Sequence, residues 1–273
     1  MNSQILQVRS DCRPRPQISH AIFDFDGTLS WLRHGWPELM CELFLEHVPL
    51  QPGESKQTLQ QILLKDILSL NGKPSIYQMQ LCVRKAAERG KQSPGANQLI
   101  VEYQRRLDAV IQQRTEQILN ASAQRDGFVI HGARVLLEML KKRGLVLIIL
   151  SGTAEPQVKQ EAELLDLTRY FGPHIYGGKA DLAQSSKRAV IDRLLGEERI
   201  QGEHLLAFGD GPVEIQLTKT VGGLAVGVAS DEDRNGSGRL HPQKLAQLRE
   251  AGADVLIPDY RDPAVLLECL LGK

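Results

Sequence analysis

The sequence predicts a doubly wound α/β core interrupted by an all-helical insertion, and two observations predict it. Short apolar runs that end in a polar or glycine-rich turn occur near the start and again from about residue 129 to the end. Between them, from Trp31 to Gly127, apolar residues recur only at helical spacing. Continuous apolar runs of four to eight residues suit strands buried on both faces. Their alternation with amphipathic helices is the pattern of a sheet covered on both sides. The 273 residues are enough to bury a sizeable core. Lys+Arg and Asp+Glu each total 33, with 42% hydrophobic and 24% charged residues, which excludes a disordered chain, a collagen-like fibre and a polybasic nucleic-acid tail. The longest apolar run, Leu145–Leu150, has the length of a buried strand and falls short of a bilayer.

Taken in order, residues 1–18 lack an apolar signal-peptide centre and read as a flexible, poorly packed lead-in. The core is expected over 19–30 and 129–273, and the helical insertion over 31–128. His20–Phe25 is the first strand, followed by Asp-Gly-Thr. In the insertion, Leu39, Leu43 and Phe44 share one stripe. Leu59, Ile62, Leu63, Ile67 and Leu70 share another, as do Ile76, Met79 and Val83. Leu99, Tyr103, Leu107, Val110, Ile111 and Ile118 form the longest. Ala133–Arg143 then reads as a helix with Val135, Leu136, Met139 and Leu140 on its buried face, stopped by Gly144. Strand Leu145–Leu150 ends in Ser-Gly-Thr, and strand Leu205–Phe208 in Gly-Asp-Gly. Ser186–Leu195, Pro212–Thr220 and Leu240–Ala251 read as helices, with weaker strands at Leu224–Val228 and Val255–Ile257. The cysteines, Cys12, Cys41, Cys82 and Cys269, are far apart and form no CxxC pair. They are expected to be free thiols in a reducing, cytoplasmic setting.

The chemistry concentrates in His20-Ala-Ile-Phe-Asp-Phe-Asp-Gly-Thr-Leu29. Asp24 and Asp26 are two apart on an extended chain and point the same way. Two carboxylates at the end of a buried strand repel unless something neutralises them, and a hard divalent cation with oxygen ligands fits best. Gly27 permits a sharp turn, and Thr28 offers a hydroxyl there. A single aspartate at a strand end reads as a turn or cap residue. Here Ser151 and Asp210 also follow apolar strands, and each is followed by glycine. Ligands of open α/β sheets bind beyond the carboxyl ends of the strands, so one pocket would collect Asp24, Asp26, Ser151 and Asp210.

These motifs (DFDGT, LSGT, a lysine ahead of the last acidic strand, and GDGPVE) resemble the haloacid dehalogenase-like hydrolase superfamily, in its phosphatase branch. The resemblance covers about 19–30 and 129–260, and the insertion sits where that superfamily places its helical first-type cap. It implies a Rossmann-like core that takes phosphate from a small phosphorylated metabolite, of the sugar phosphate or phosphoglycolate kind, with Mg²⁺. Asp24 matches the nucleophile that forms an aspartyl-phosphate, and Asp26 matches the general acid/base. Asp24, the Asp26 carbonyl and Asp210 match the Mg²⁺ ligands. Ser151, with the backbone beside Gly152, matches the phosphate-binding motif, with capping of the next helix as the alternative for Ser151.

Lys187 matches the charge-neutralising lysine, and Lys179 competes for that role. Glu214 stands four residues after Asp210 where the family more often has aspartate, so it is expected beside the metal, with direct ligation open. Lys73, in the turn Asn71-Gly-Lys-Pro-Ser75, is a candidate substrate contact from the cap, equally readable as an exposed turn lysine. Trp31, Arg33, His34 and Trp36 line the entrance or pack the hinge. The resemblance leaves a phosphomutase or a non-catalytic phosphate-binding module as alternatives. No nucleic-acid or membrane partner is expected.

Overall fold

The computed structural model describes residues 6–71, 74–178, 187–197 and 200–272. It divides into two compact units: one comprises the chain up to Leu32 together with Ile118 onward, and the other is Arg33–Gln117.

The first unit is built on a seven-stranded sheet. Its strands are β1 (Gln7–Val8), β2 (His20–Phe23), β3 (Val146–Ala154), β4 (Ile175–Gly178), β5 (Leu205–Gly209), β6 (Leu224–Val228) and β7 (Val255–Ile257). Their order across the sheet is β1-β7-β6-β5-β2-β3-β4. All neighbours are parallel except β1, which runs antiparallel to β7. β2, β5, β6 and β7 are buried throughout, which is why they are continuous apolar runs rather than alternating ones. Beneath the centre, Phe23 stacks on Phe208 at 4.5 Å, and Tyr260 meets Phe208 edge-on at 5.9 Å.

The lead-in expected to be poorly packed is instead tied to the sheet from Gln7 onward. β1 pairs Gln7 with Leu256 and Val8 with Val255. The buried carboxylate of Asp254 takes Lys219 Nζ at 2.8 Å and Arg9 at 2.7 Å, and it also accepts the Ala225 N–H. Arg15 N–H reaches Leu270 O at 2.8 Å. Hydropathy missed this strand because two residues are too few to show a period. β4 was likewise missed, since Ile-Tyr-Gly-Gly carries little apolar weight.

Helix α5 (Ala133–Lys142) also turns differently from the expectation. Its buried residues are Ala133, Leu136, Leu137 and Leu140, while Val135 is exposed. The sheet-facing row follows 133, 136/137, 140, the true helical repeat, and Leu137 takes the place assigned to Val135. Further helices of this unit are α6 (Glu155–Leu164), α7 (Thr168–Phe171), α8 (Lys187–Glu197), α9 (Pro212–Thr220), α10 (Pro242–Glu250) and α11 (Pro263–Leu271).

The second unit is helical: α1 (Trp36–His47), α2 (Lys56–Ser69), α3 (Ile76–Glu88) and most of α4 (Ala96–Leu119). Their stripes meet in one core that includes Met40, Phe44, Leu59, Leu63, Met79 and Tyr103. Ser55 caps α2 by accepting the Thr58 N–H at 3.0 Å. Cys41 and Cys82 lie inside this core, and burial pushes their thiols up to about 11 and about 12. The insertion therefore starts and stops nearer to Arg33 and Gln117 than to the expected 31 and 128. Trp31 packs on the α/β core and Trp36 on the helical core.

In the α/β unit the exit and return of the insertion are zipped together. Ser30 bridges Val129, and Trp31 N–H donates to Phe128 O at 2.8 Å. Among the described residues no helix is long and apolar enough to cross a membrane.

Candidate active site

β5, β2 and β3 lie side by side and parallel, with Phe23 in register with both Phe208 and Ile149. Their carboxyl ends therefore open on the same edge, at the point where the chain winds to either side of β2. Asp24 follows β2 directly and is buried; its N–H donates to Phe208 O at 2.9 Å. Asp210 follows β5, and Ser151, Gly152 and Thr153 lie in the carboxyl-terminal part of β3, where its pairing with β4 shifts register.

The loop after Asp24 is folded tightly back. Leu29 and Ser30 N–H groups both donate to Phe25 O at 2.8 Å. Gly27 has φ +72°, and a Cβ there would meet Asp210 Oδ2 at 2.3 Å. Conformation and space both demand glycine, and the consequence is that the Asp210 carboxylate lies against the Gly27 backbone. Thr28, expected to present its hydroxyl at the turn, is instead fully buried. Its carbonyl accepts the Tyr260 hydroxyl at 3.0 Å, and its own Oγ1 has no hydrogen-bond partner among the described residues. Thr28 thus packs the underside of the loop.

Asp26 is half-buried, and its Oδ2 accepts the Thr153 hydroxyl at 2.9 Å. Thr153 was not among the expected site residues. Its signal is its place two after Ser151 on the strand, which sends both side chains the same way. Thr153→Val keeps the shape and removes that bond. On the expectation that Asp26 is the general acid, it should lower kcat roughly tenfold with KM little changed, because misaiming that group costs the transition state more than binding. Steady-state kinetics check it, and an unchanged kcat would refute the positioning role.

Ser151 Oγ accepts the Thr153 N–H at 3.0 Å. It does not cap α6, whose cap position is Ala154 and receives no side-chain bond. Gly152 is exposed, with open space where a Cβ would sit.

Lys187 opens α8, and its Nζ donates to Asp24 Oδ1 at 2.9 Å and to Glu214. Burial works against the Lys187 ammonium, but the Asp24 and Glu214 charges outweigh it and hold its pKa above the usual lysine value. Lys179 and Lys73, the other lysines singled out in the sequence, lie outside the described residues. Glu214, on the first turn of α9, is buried against Gly209, where a Cβ would stand 2.9 Å from the Glu214 Cβ. One of its oxygens meets Lys187, and the other, Oε2, is buried with no hydrogen-bond partner among the described residues.

A second lysine completes the site. Lys244, on α10, pairs with Asp210 Oδ2 at 2.9 Å and with Glu232. The sequence pattern marks its helix, Leu240–Ala251, but assigns Lys244 no role. The signal available was its spacing, four before the buried Leu248.

Burial raises the Asp24 carboxyl well above the usual range; Lys187 pulls it back, while Glu214 and Asp210 push it further up. Burial likewise raises Asp210, opposed by Lys244 and reinforced by Glu232 and Glu214. Asp24, Asp210 and Glu214 thus crowd one buried pocket whose acidic groups offer only oxygen donors. Among the described residues no three acids form a ready-made cage; their oxygens turn to the two ammonium groups. The orphaned Glu214 oxygen and the excess of acids over lysines fit a hard divalent cation.

Comparison with known proteins agrees with this arrangement. The family model of haloacid dehalogenase-like hydrolases matches residues 18–222. No protein of curated function matches the sequence significantly. Among solved structures, a conserved haloacid dehalogenase-like protein of unknown function from Agrobacterium tumefaciens superposes with a TM-score of 0.64 at 17% identity, covering 91% of this chain and 97% of that one. A haloacid dehalogenase family hydrolase from Deinococcus radiodurans, with bound phosphate and sodium, gives 0.62 at 16% identity, with 93% and 97% covered. A predicted phosphoglycolate phosphatase from Haemophilus somnus gives 0.61 at 16% identity, with 92% and 98% covered. With the sheet order, the strand-end acids and the family model in agreement, the chain belongs to the haloacid dehalogenase-like hydrolases.

Proposed function

We propose that this hydrolase is a Mg²⁺-dependent phosphatase that cleaves the phosphate monoester of a small metabolite through an aspartyl-phosphate on Asp24. The observation that carries this reading is the pairing of roles at the end of β2: Asp24 is held by Lys187, and Asp26, two residues on, by Thr153. A nucleophile and a proton carrier are fixed separately on one loop. The phosphate found on the Deinococcus neighbour supports the substrate class.

Asp24 would attack phosphorus and displace the alkoxide. A protonated Asp26 gives its proton to that leaving oxygen as the P–O bond breaks. Asp26, now ionised, takes a proton from water, whose oxygen attacks phosphorus and releases Asp24 as carboxylate. Ser151 Oγ and the open backbone at Gly152 bind the phosphate oxygens, and Lys187 offsets the charge of nucleophile and phosphate. Asp24, Asp210 and the Asp26 carbonyl would hold Mg²⁺, with Glu214 beside them. When bound, the ion supplies the positive charge that lets an anionic nucleophile approach an anionic phosphate.

The test is release of inorganic phosphate from a panel of sugar phosphates, phosphoglycolate and an aryl phosphate, in MgCl2 and in EDTA. At least about a hundredfold difference between the two is expected for the best substrate. Equal rates in both would overturn the metal dependence. A requirement for a bisphosphate activator, with no free phosphate formed, would make the protein a mutase.

A further inference from the structure

The catalytic scheme has no use for Lys244, yet this side chain is only 2% exposed. Its ammonium has three N–H donors and meets three acceptors: Asp210 Oδ2 at 2.9 Å, Ser230 Oγ at 3.1 Å and Glu232. Ser230 in turn donates to Gly27 O at 3.0 Å. The cluster therefore runs from α10, through the residues just after β6, to the nucleophile loop. With every donor engaged, Lys244 has nothing left to offer a substrate.

An ammonium is expensive to bury, and an apolar side chain of similar length would pack the same space at lower cost. What the charge accomplishes must be sought in its partners. Asp210 and Glu232 would otherwise be two carboxylates close together in a buried pocket, with Asp24 and Glu214 adding to the crowding. We propose that Lys244 is a fixed counter-cation: it keeps Asp210 paired and pressed against Gly27 when no metal is bound, and thereby weakens the hold of the site on a divalent ion. The proposal rests on the reading of Asp210 as a Mg²⁺ ligand. A resident positive charge in contact with one oxygen of that ligand repels an incoming dication. The site stays assembled while empty, and the ion it takes remains exchangeable.

The experiment compares wild type with Lys244→Met by calorimetric titration with MgCl2, without substrate, and by thermal melting in EDTA and in MgCl2. Lys244→Met should bind Mg²⁺ about tenfold more tightly or better. Its melting temperature should drop much further in EDTA than in MgCl2, since the ion now supplies the missing charge. A merely structural lysine would lower both melting temperatures equally and leave affinity alone, and that result overturns the proposal. If Lys244→Met does not fold, Lys244→Met/Glu232→Gln removes one charge of each sign. It should bind Mg²⁺ within about threefold of wild type, whereas a loss of tenfold or more would show a geometric clamp and refute the charge role. Wild type that takes up no Mg²⁺ overturns the metal reading and this proposal together. Wild type that binds, with no tightening in Lys244→Met, overturns this proposal alone.

Discussion

Asp24→Asn is expected to reduce phosphate release by about four orders of magnitude, on the order of 5 kcal/mol in the barrier. The amide has the shape of the carboxylate but is no nucleophile toward phosphorus, so no covalent intermediate forms. The same change should make the metal-free protein more stable at neutral pH. In the fold, burial raises the Asp24 carboxyl well above 3.8, so the folded state holds that proton more tightly than the unfolded chain. Stability then falls as pH rises from the unfolded value through the raised folded one. Asparagine has no proton to lose, and Lys187 keeps Glu214 as a partner. The melting temperature of Asp24→Asn in EDTA should match wild type near pH 4 and exceed it increasingly toward pH 7. Activity and stability moving in opposite directions is the mark of a strained catalytic group. A variant that retains turnover, or whose melting temperature tracks wild type at every pH, would remove Asp24 from the nucleophile's place.

Why the acids could be read from sequence and most of their partners could not is a matter of range. Asp24, Asp26 and Asp210 are announced by the strands that deliver them, because a buried parallel strand is a continuous apolar run and its carboxyl end is where ligands bind. The helical insertion was equally plain, since stripes such as Leu59, Leu63 and Ile67 repeat within one element. The side chains that meet the acids come from elsewhere in the chain. Thr153, 127 residues from Asp26, was not among the expected residues, whereas Lys187, 163 from Asp24, was expected only through the family resemblance. Lys244 reads locally as one more polar residue on an amphipathic helix, and only the closeness of α10 to the end of β6 turns it inward. Thr28 failed for the complementary reason. Its hydroxyl suits catalysis, but the tightness of the turn after Phe25 buries it. The strand at Gln7–Val8 owes its place to a distant buried aspartate, Asp254, which no local period can report.

Lys187→Met should strongly destabilise the metal-free fold. The side chain is 16% exposed, Asp24 12% and Glu214 5%, so water screens this triad little. Removing the ammonium leaves two neighbouring buried carboxylates without their shared cation, and breaking a buried pair in this way costs about 3–5 kcal/mol. Asp24, already raised by burial, loses the charge that pulled it back and is driven further toward the neutral form, so turnover should fall by about two to three orders of magnitude even with Mg²⁺ present. The two losses separate in the double variant Lys187→Met/Glu214→Gln. Neutralising Glu214 removes the repulsion that the missing lysine exposed, and most of the lost melting temperature should return in EDTA. Activity should not return, because the charge that steadies Asp24 and the incoming phosphate is still absent. Chemical denaturation of the single and double variants, alongside phosphate-release rates, tests both halves. If the double variant regains activity together with stability, Lys187 serves the fold alone; if it regains neither, Glu214 is held by something other than the charge of Lys187.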